Sequence, residues 1–213
     1  MNGPSQDALD AYVSGLFAPE DDILQWIQAE TRRNDMPQIS LAPQEGRLLQ
    51  FLMQAVGART VVEIGCLAGY SGTWLARALP ADGKLYTLEV SSKHAQVARN
   101  SFEKAGLTHQ VELLEGPALE SLQKLTSEGP FDFVFIDADK GSYPQYLQWA
   151  VDNLRPGGMV AAHNALRGGR VVNPSSADDE AMHAFNQSLA DNHQLFSTIF
   201  ALGDGMAVGI KQA

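Results

Sequence analysis

Residues 60–71 read TVVEIGCLAGYS, and this stretch decides the fold. Thr60 to Ile64 is a short β-branched run, the composition of a buried strand. Gly65 ends it, and a helix is expected from about Ser71 to Leu79. The glycines let the backbone turn tightly and approach a ligand. A dinucleotide fingerprint would read Gly-x-Gly-x-x-Gly, but position 67 is Leu. The spacing here is Gly65-x-x-x-Gly69, preceded by the acid Glu63. That acid repels a pyrophosphate and suits a cationic ligand.

Downstream of this turn, strand and helix signals alternate. Leu85 to Val90 reads as a strand and Ser91 to Ala105 as a helix closed by Gly106. Val111 to Leu114 is the next strand and Ala118 to Leu125 the next helix. FDFVFI (131–136) is a strand, Ser142 to Leu154 a helix stopped by Pro156-Gly157-Gly158, and Met159 to Ala162 a strand. A helix from Ala177 to about Ala190 precedes two strands, Phe196 to Ala201 and Met206 to Ile210. Leu202-Gly203-Asp204-Gly205 between them is a hairpin signal. Repeated strand–helix units predict an α/β fold with a parallel sheet and helices on both faces. The hairpin adds an antiparallel pair at its edge.

Upstream, Ala18 to Arg33 reads as a helix with Pro19 at its first position and Glu20, Asp21 and Asp22 in its first turn. Pro43 opens a second helix carrying Leu48, Leu49, Leu52 and Met53. One domain over residues 1–213 is expected, with a helical cap at about 1–57 and a core over 58–213.

Composition narrows the partners. Fifteen basic against 25 acidic residues leave a formal charge of −10, which repels nucleic-acid backbones, and no local basic patch offsets it. Cys66 is the only cysteine, so no intrachain disulfide or cysteine zinc cluster forms, and a cytoplasmic setting is expected. Met1 to Asp10 is polar and carries no secretory h-region. No apolar run approaches the roughly 20 residues that span a bilayer, so no membrane partner is expected.

In such sheets a ligand sits at the carboxyl ends of the strands. Glu89 ends the second strand, where a carboxylate accepts hydrogen bonds from both hydroxyls of a ribose. Ala118, after the third strand, lets an adenine ring lie flat. Asp137-Ala138-Asp139-Lys140 follows the apolar fourth strand, and His163-Asn164 follows the fifth. Asp137, His163 and Asn164 then lie at neighbouring strand ends, and carboxylate, imidazole and amide oxygen together suit a divalent ion. Taken singly, these are also a tight turn, a solvated strand-end acid and a structural histidine.

VEIGCLAGYSG (62–72), EGPALESL (115–122), FDFVFIDADK (131–140) and LGDGMAVGIK (202–211) together resemble the small cation-dependent O-methyltransferases, the group of caffeoyl-CoA and catechol O-methyltransferases. The resemblance runs from about Asp22 to Lys211. It implies a Rossmann-like methyltransferase fold with a seven-stranded, mostly parallel sheet, and methyl transfer from S-adenosylmethionine to a phenolic, usually catecholic, hydroxyl. By matching motif, Glu63, Gly65 and Ser71 would line the methionine and ribose side, and Glu89 would hold the ribose. Ala118 would meet the adenine, and Asp139 and Tyr146 the sulfonium end. Ile39 to Leu41, within MPQISLAPQEG (36–46), match the loop that covers the cofactor. A homodimer is also implied.

The chain departs from the family on the acceptor side. The family's metal ligands are an Asp at the position of Asp137 and an Asp-Asn pair at the fifth strand, but the pair here is His163-Asn164. The aromatic residue three places after that Asn is matched by Arg167, which suggests an anionic acceptor or else a surface arginine. Two outcomes are expected at His163: a retained ion, magnesium or a transition metal, or a metal-free site with neutral His163 as general base. Lys140 is the other candidate base, with Asp137 beside it. A nucleotide-binding oxidoreductase and a non-catalytic cofactor-binding protein are the alternatives; Leu67 and Glu63 oppose the first, and His163 and Arg167 favour the second.

Overall fold

The computed structural model describes residues 5–213. Residues 1–4, the start of the polar stretch Met1 to Asp10, lie outside the described residues. Strand β1 (Thr60–Ile64) lies mid-sheet, parallel to β2 (Lys84–Glu89) on one side and β4 (Phe131–Ile136) on the other. Beyond β2 lies β3 (Val111–Glu115), and beyond β4 lies β5 (Leu154–Ala162). The hairpin β6 (Leu195–Phe200) and β7 (Met206–Lys211) completes the sheet, and β7 pairs antiparallel with both β5 and β6. The seven strands run β3-β2-β1-β4-β5-β7-β6. This is the mostly parallel α/β sheet expected, with its antiparallel pair at one edge.

Continuous apolar strands reflect burial on both faces. Val61, Val62, Ile64, Phe131, Phe133, Val134, Phe135 and Ile136 have no exposed surface. Helices α4 (Tyr70–Ala76) and α5 (Ser92–Lys104) lie with α2 (Asp22–Arg33) and α3 (Pro43–Ala55) over one face, where Leu24, Ile27, Leu49 and Leu75 join Val61 and Phe133 in one core. Helices α6 (Ala118–Leu125), α7 (Tyr143–Asn153) and α8 (Ala177–Asp191) belong to the other face, whose core includes Val62, Val134, Tyr143 and Phe185. Crossing from β3 back over β1 to β4 reverses the winding direction, and the strand ends on either side of that reversal frame a crevice.

Several element ends differ from expectation. The helix expected from Ala18 begins at Asp22, because Asp21 caps it: its Oδ1 accepts from the Leu24 N–H at 3.0 Å. A further helix, α1 (Gln6–Phe17), precedes it, so three helices rather than two form the cap. Ser5 caps α1, and none of its residues is buried. Strand β5 starts at Leu154 rather than Met159: Leu154 pairs with Phe131, the register shifts across Arg155–Gly158, and pairing resumes between Met159 and Phe133.

Candidate active site

The tight turn after β1 brings two strand ends together. Gly65 has φ +96°, and a Cβ there would lie 2.1 Å from the carbonyl oxygen of Asp137. Only glycine lets β1 and β4 close on each other in this way. The Asp137 N–H donates to the Ile64 carbonyl at 2.8 Å. Gly69, at φ +84°, starts α4, and Leu67 between them also has positive φ (+50°).

Glu63 does not line the crevice as expected. It is wholly buried beneath the turn, where Ser71 Oγ and Thr87 Oγ1 donate to its two oxygens at 2.6 and 2.5 Å. A Cβ on Gly72 would come within 2.8 Å of the same carboxyl. Burial pushes its pKa up to about 8 against the pull of the two hydroxyls, with the Asp137 and Glu89 charges adding to the rise. Glu63 therefore braces Ser71, and Ser71 reaches the crevice.

The crevice is a cavity of about 860 Å³ at the carboxyl ends of β1, β2 and β4. Ile39, Leu41, Gly65, Ser71, Glu89, Ala118, Asp137, Asp139, Lys140, Tyr146 and Asn164 all line it, so the chain brings these expected residues into one place. At one end, Glu89 is held by the Leu67 N–H on Oε2 (2.8 Å) and the Ser91 N–H on Oε1 (2.9 Å). Val90, an exposed apolar side chain, and His94 line the wall near it and were not singled out from the sequence. Tyr146 Oη donates to Asp139 Oδ1 at 2.7 Å, fixing both in the cavity lining. Pro37 to Leu41 close over one side, with Ile39 exposed and Leu41 buried.

At the other end lies a chain of charges. The Lys140 ammonium, nearly buried, donates to Asp137 Oδ1 (3.2 Å), the Ala138 carbonyl (3.1 Å) and Tyr143 Oη (2.6 Å). Asp137 Oδ2 meets His163 Nδ1 at 3.1 Å, and His163 Nε2 meets Glu45 Oε1 at 3.0 Å. His163 is 5% exposed and does not line the cavity. Burial alone would lower its pKa, but the bonds to Asp137 and Glu45 and their charges raise it to about 10. The same imidazolium and Lys140 hold the Asp137 carboxyl below its ordinary value, against the effect of burial. The expectation of a neutral His163 acting as base is thus corrected: two carboxylates keep it charged, behind Asp137.

The donors do not fit the divalent cation expected at Asp137, His163 and Asn164. Both Asp137 oxygens face cationic donors and both His163 nitrogens face carboxylates, which leaves of the three only the amide oxygen of Asn164, whose Nδ2 donates to Asp204 Oδ2 at 3.2 Å. Among the described residues, no group of three or more His, Cys, Asp or Glu side chains is disposed to hold a metal ion. Arg167 is not a free anion receptor either, because its guanidinium is paired with Asp178 and Asp179.

Known proteins share this architecture. The O-methyltransferase family model matches residues 14–212. The catechol O-methyltransferase of Niastella koreensis is 42% identical over 219 residues, covering 99% of this chain and 99% of that protein. The catechol O-methyltransferase of Mycobacterium tuberculosis is 38% identical over 196 residues, covering 92% of this chain and 89% of that protein. The crystal structure of the O-methyltransferase from Bacillus cereus in complex with SAH superimposes with a TM-score of 0.90 at 37% identity, covering 96% of this chain and 97% of that one. A match over nearly the whole length, on the same fold and with the glycine turn and acidic strand ends in place, sets aside the oxidoreductase alternative: the chain belongs to the S-adenosylmethionine-dependent O-methyltransferase family.

Proposed function

We propose that this enzyme methylates a hydroxyl of a small phenolic, catechol-like acceptor. One observation carries the reading: a single cavity holds a carboxylate suited to a ribose, Glu89, at one end and the Lys140–Asp137 pair at the other. The names of the relatives from Niastella koreensis and Mycobacterium tuberculosis support the acceptor class.

S-adenosylmethionine supplies the methyl group as a cationic sulfonium. Glu89, already oriented by two backbone N–H groups, keeps lone pairs for the ribose hydroxyls. Ala118 and Val90 offer flat apolar contact to the adenine, and Ser71 and the Gly65 turn receive the methionine end. Asp139 and Tyr146, both in the cavity lining, would flank the sulfonium, and Ile39 and Leu41 would exclude water from it. The site's main work is to hold the acceptor oxygen in line with the methyl.

A phenol has a pKa near 10 and is a poor nucleophile until ionised. Lys140 meets the acceptor oxygen in this reading. Its three hydrogens are engaged by Asp137, Ala138 and Tyr143, so we assign it as a fixed positive charge rather than as the base: it lowers the acceptor's pKa, the hydroxyl gives its proton to solvent water, and the phenolate that remains takes the methyl group. Residues 1–213 work as one methyltransferase domain, with the first 57 as its cap, and pair as a homodimer in the cytoplasm, where a lone buried thiol such as Cys66 stays reduced.

Two variants test the reading. Glu89→Ala should weaken S-adenosylmethionine by on the order of 1.5–3 kcal/mol, the scale of hydrogen bonds to a charged group. Unchanged affinity by calorimetry removes Glu89 from the site. Lys140→Met should lower kcat on catechol by about 10²–10³-fold with cofactor affinity retained, the scale for losing one electrostatic stabiliser of a developing oxyanion. The loss should shrink on 4-nitrocatechol, whose hydroxyl ionises more readily. An equal loss on both acceptors would return Lys140 to a merely structural role.

A further inference from the structure

Two carboxylates and two cations alternate along Glu45, His163, Asp137 and Lys140. A neutral imidazole carries one N–H, and its other nitrogen offers a lone pair. With a carboxylate oxygen 3.0–3.1 Å from each ring nitrogen, that lone pair would face an acceptor on one side. Both nitrogens are thus turned to carboxylate oxygens and neither is left free to ligate a metal; with the two carboxylates ionised, the ring is an imidazolium. Asp137 has spent one oxygen on this ring and the other on Lys140. Tyr143 Oη, the remaining titratable neighbour, accepts from Lys140. The cluster has no net charge with which to draw in a divalent ion.

Glu45, which nothing in the sequence singled out, makes the arrangement possible. It is 3% exposed and stands in the first turn of α3. Its Oε2 accepts from the Ala42 N–H at 2.7 Å, and its Oε1 from His163. On a third side lies Gly203, where a Cβ would come within 2.1 Å of Oε1. Glu45 is thus pinned by the covering loop, the hairpin and His163, and has no free path to another partner.

The geometry points to a metal-free O-methyltransferase in which the His163 imidazolium, clamped between Asp137 and Glu45, supplies beside Asp137 the positive charge that a divalent ion would otherwise bring. His163 and Glu45 are positioning residues: they fix the Asp137 carboxylate, and Asp137 fixes Lys140 at the acceptor oxygen. Only the turnover arm of the test rests on the proposed methyl transfer; the ion-binding arm stands without it.

The test is manganese binding to the full-length protein, followed by calorimetry and by the electron paramagnetic resonance of the ion, with magnesium and zinc titrated in parallel. Wild type should take up none of the three stoichiometrically, and its turnover on catechol should survive chelator treatment unchanged. His163→Asp removes the cation and adds an anionic oxygen ligand, so it should acquire a bound manganese signal and a turnover that the chelator abolishes. Glu45→Gln should acquire no ion, and its kcat should fall on the order of 10- to 100-fold while KM for the cofactor holds, the scale for losing a partner that orients a site group. Stoichiometric ion uptake by wild type that Asp137→Asn removes would overturn the proposal, as would chelator-sensitive wild-type turnover restored by an added ion. A folded His163→Asp protein that takes up no ion also overturns it, and so does a Glu45→Gln enzyme with wild-type kcat. If His163→Asp does not fold, the wild-type titrations decide alone. If no phenolic acceptor is methylated, they still decide, and only the function reading fails.

Discussion

Glu63 and His163 are buried titratable groups whose shifts act on stability in two pH windows that overlap between about 6.5 and 8. Glu63 has a folded pKa of about 8 against an ordinary 4.5, so the folded chain keeps a proton that the unfolded chain has released. Stability therefore falls as pH rises from about 4.5 to 8. His163 has a folded pKa of about 10 against 6.5, so its contribution is complete below 6.5 and is lost as pH rises toward 10. Denaturant unfolding from pH 5 to 10 should show both slopes. Glu63→Gln should flatten the lower window, because an amide replaces a protonated acid between Ser71 and Thr87. His163→Gln should flatten the upper one. Each difference should reach on the order of a few kcal/mol, since one pKa unit is worth about 1.4 kcal/mol. A His163→Gln profile parallel to wild type above pH 6.5 would mean that the ring is not charged in the fold. His163 and its neighbours mark what can be read in the chain. Asp137 and Lys140 were legible because they follow an apolar strand directly, and strand ends are where such sheets bind. The partner that changes the meaning of His163 was not: Glu45 lies 118 residues away, on a helix whose pattern speaks only of packing.

At the scale of elements, the turn after β1 rests on contact as well as backbone conformation, and two glycines separate these terms. Gly57 has φ +63° with open space around a would-be Cβ, so Gly57→Ala should cost only the left-handed penalty, about 1–2 kcal/mol. Gly65 has φ +96° and no room at all beside the Asp137 carbonyl. Gly65→Ala must push β1 and β4 apart at the crevice and should exceed that cost by several kcal/mol, with loss of cofactor binding. Equal effects of the two changes on unfolding free energy would show that the close approach carries no weight. Alternation and the hairpin glycines announce every strand, and in the central strands burial on both faces writes itself into composition. Helix starts were less legible. Pro19 and the acids after it all favour a first turn, and the Asp21 cap decided among them. Helix α1 does carry a helical signal, with Leu9, Tyr12, Val13, Leu16 and Phe17 at helix spacing, yet the chain leaves that stripe unburied.

That exposed helix bears on the whole molecule. Leu16 and Phe17 of α1, with Val13, border an apolar groove of about 490 Å³ together with Phe51 of α3 and Leu202 of the hairpin. Phe17 and Phe51 are 62% and 68% exposed. Contiguous apolar surface of this kind marks a contact site in a soluble protein. A second copy of the chain is the partner expected here, and the charge sets how it must behave. Two chains of formal charge −10 repel each other, and salt shortens that repulsion from roughly 30 Å at 0.01 M to about 8 Å at physiological ionic strength. An apolar contact survives screening, so dimerisation should strengthen as salt rises over that range. A contact made by ion pairs would weaken instead. Sedimentation equilibrium at micromolar concentration measures this directly. Leu16→Asp together with Phe17→Asp should leave a 23.0 kDa species at every salt concentration, with circular dichroism unchanged because no residue of α1 is buried in the core. A wild-type chain that sediments at 23.0 kDa throughout would refute the dimer, and a dimer indifferent to these two substitutions would place the contact on another face.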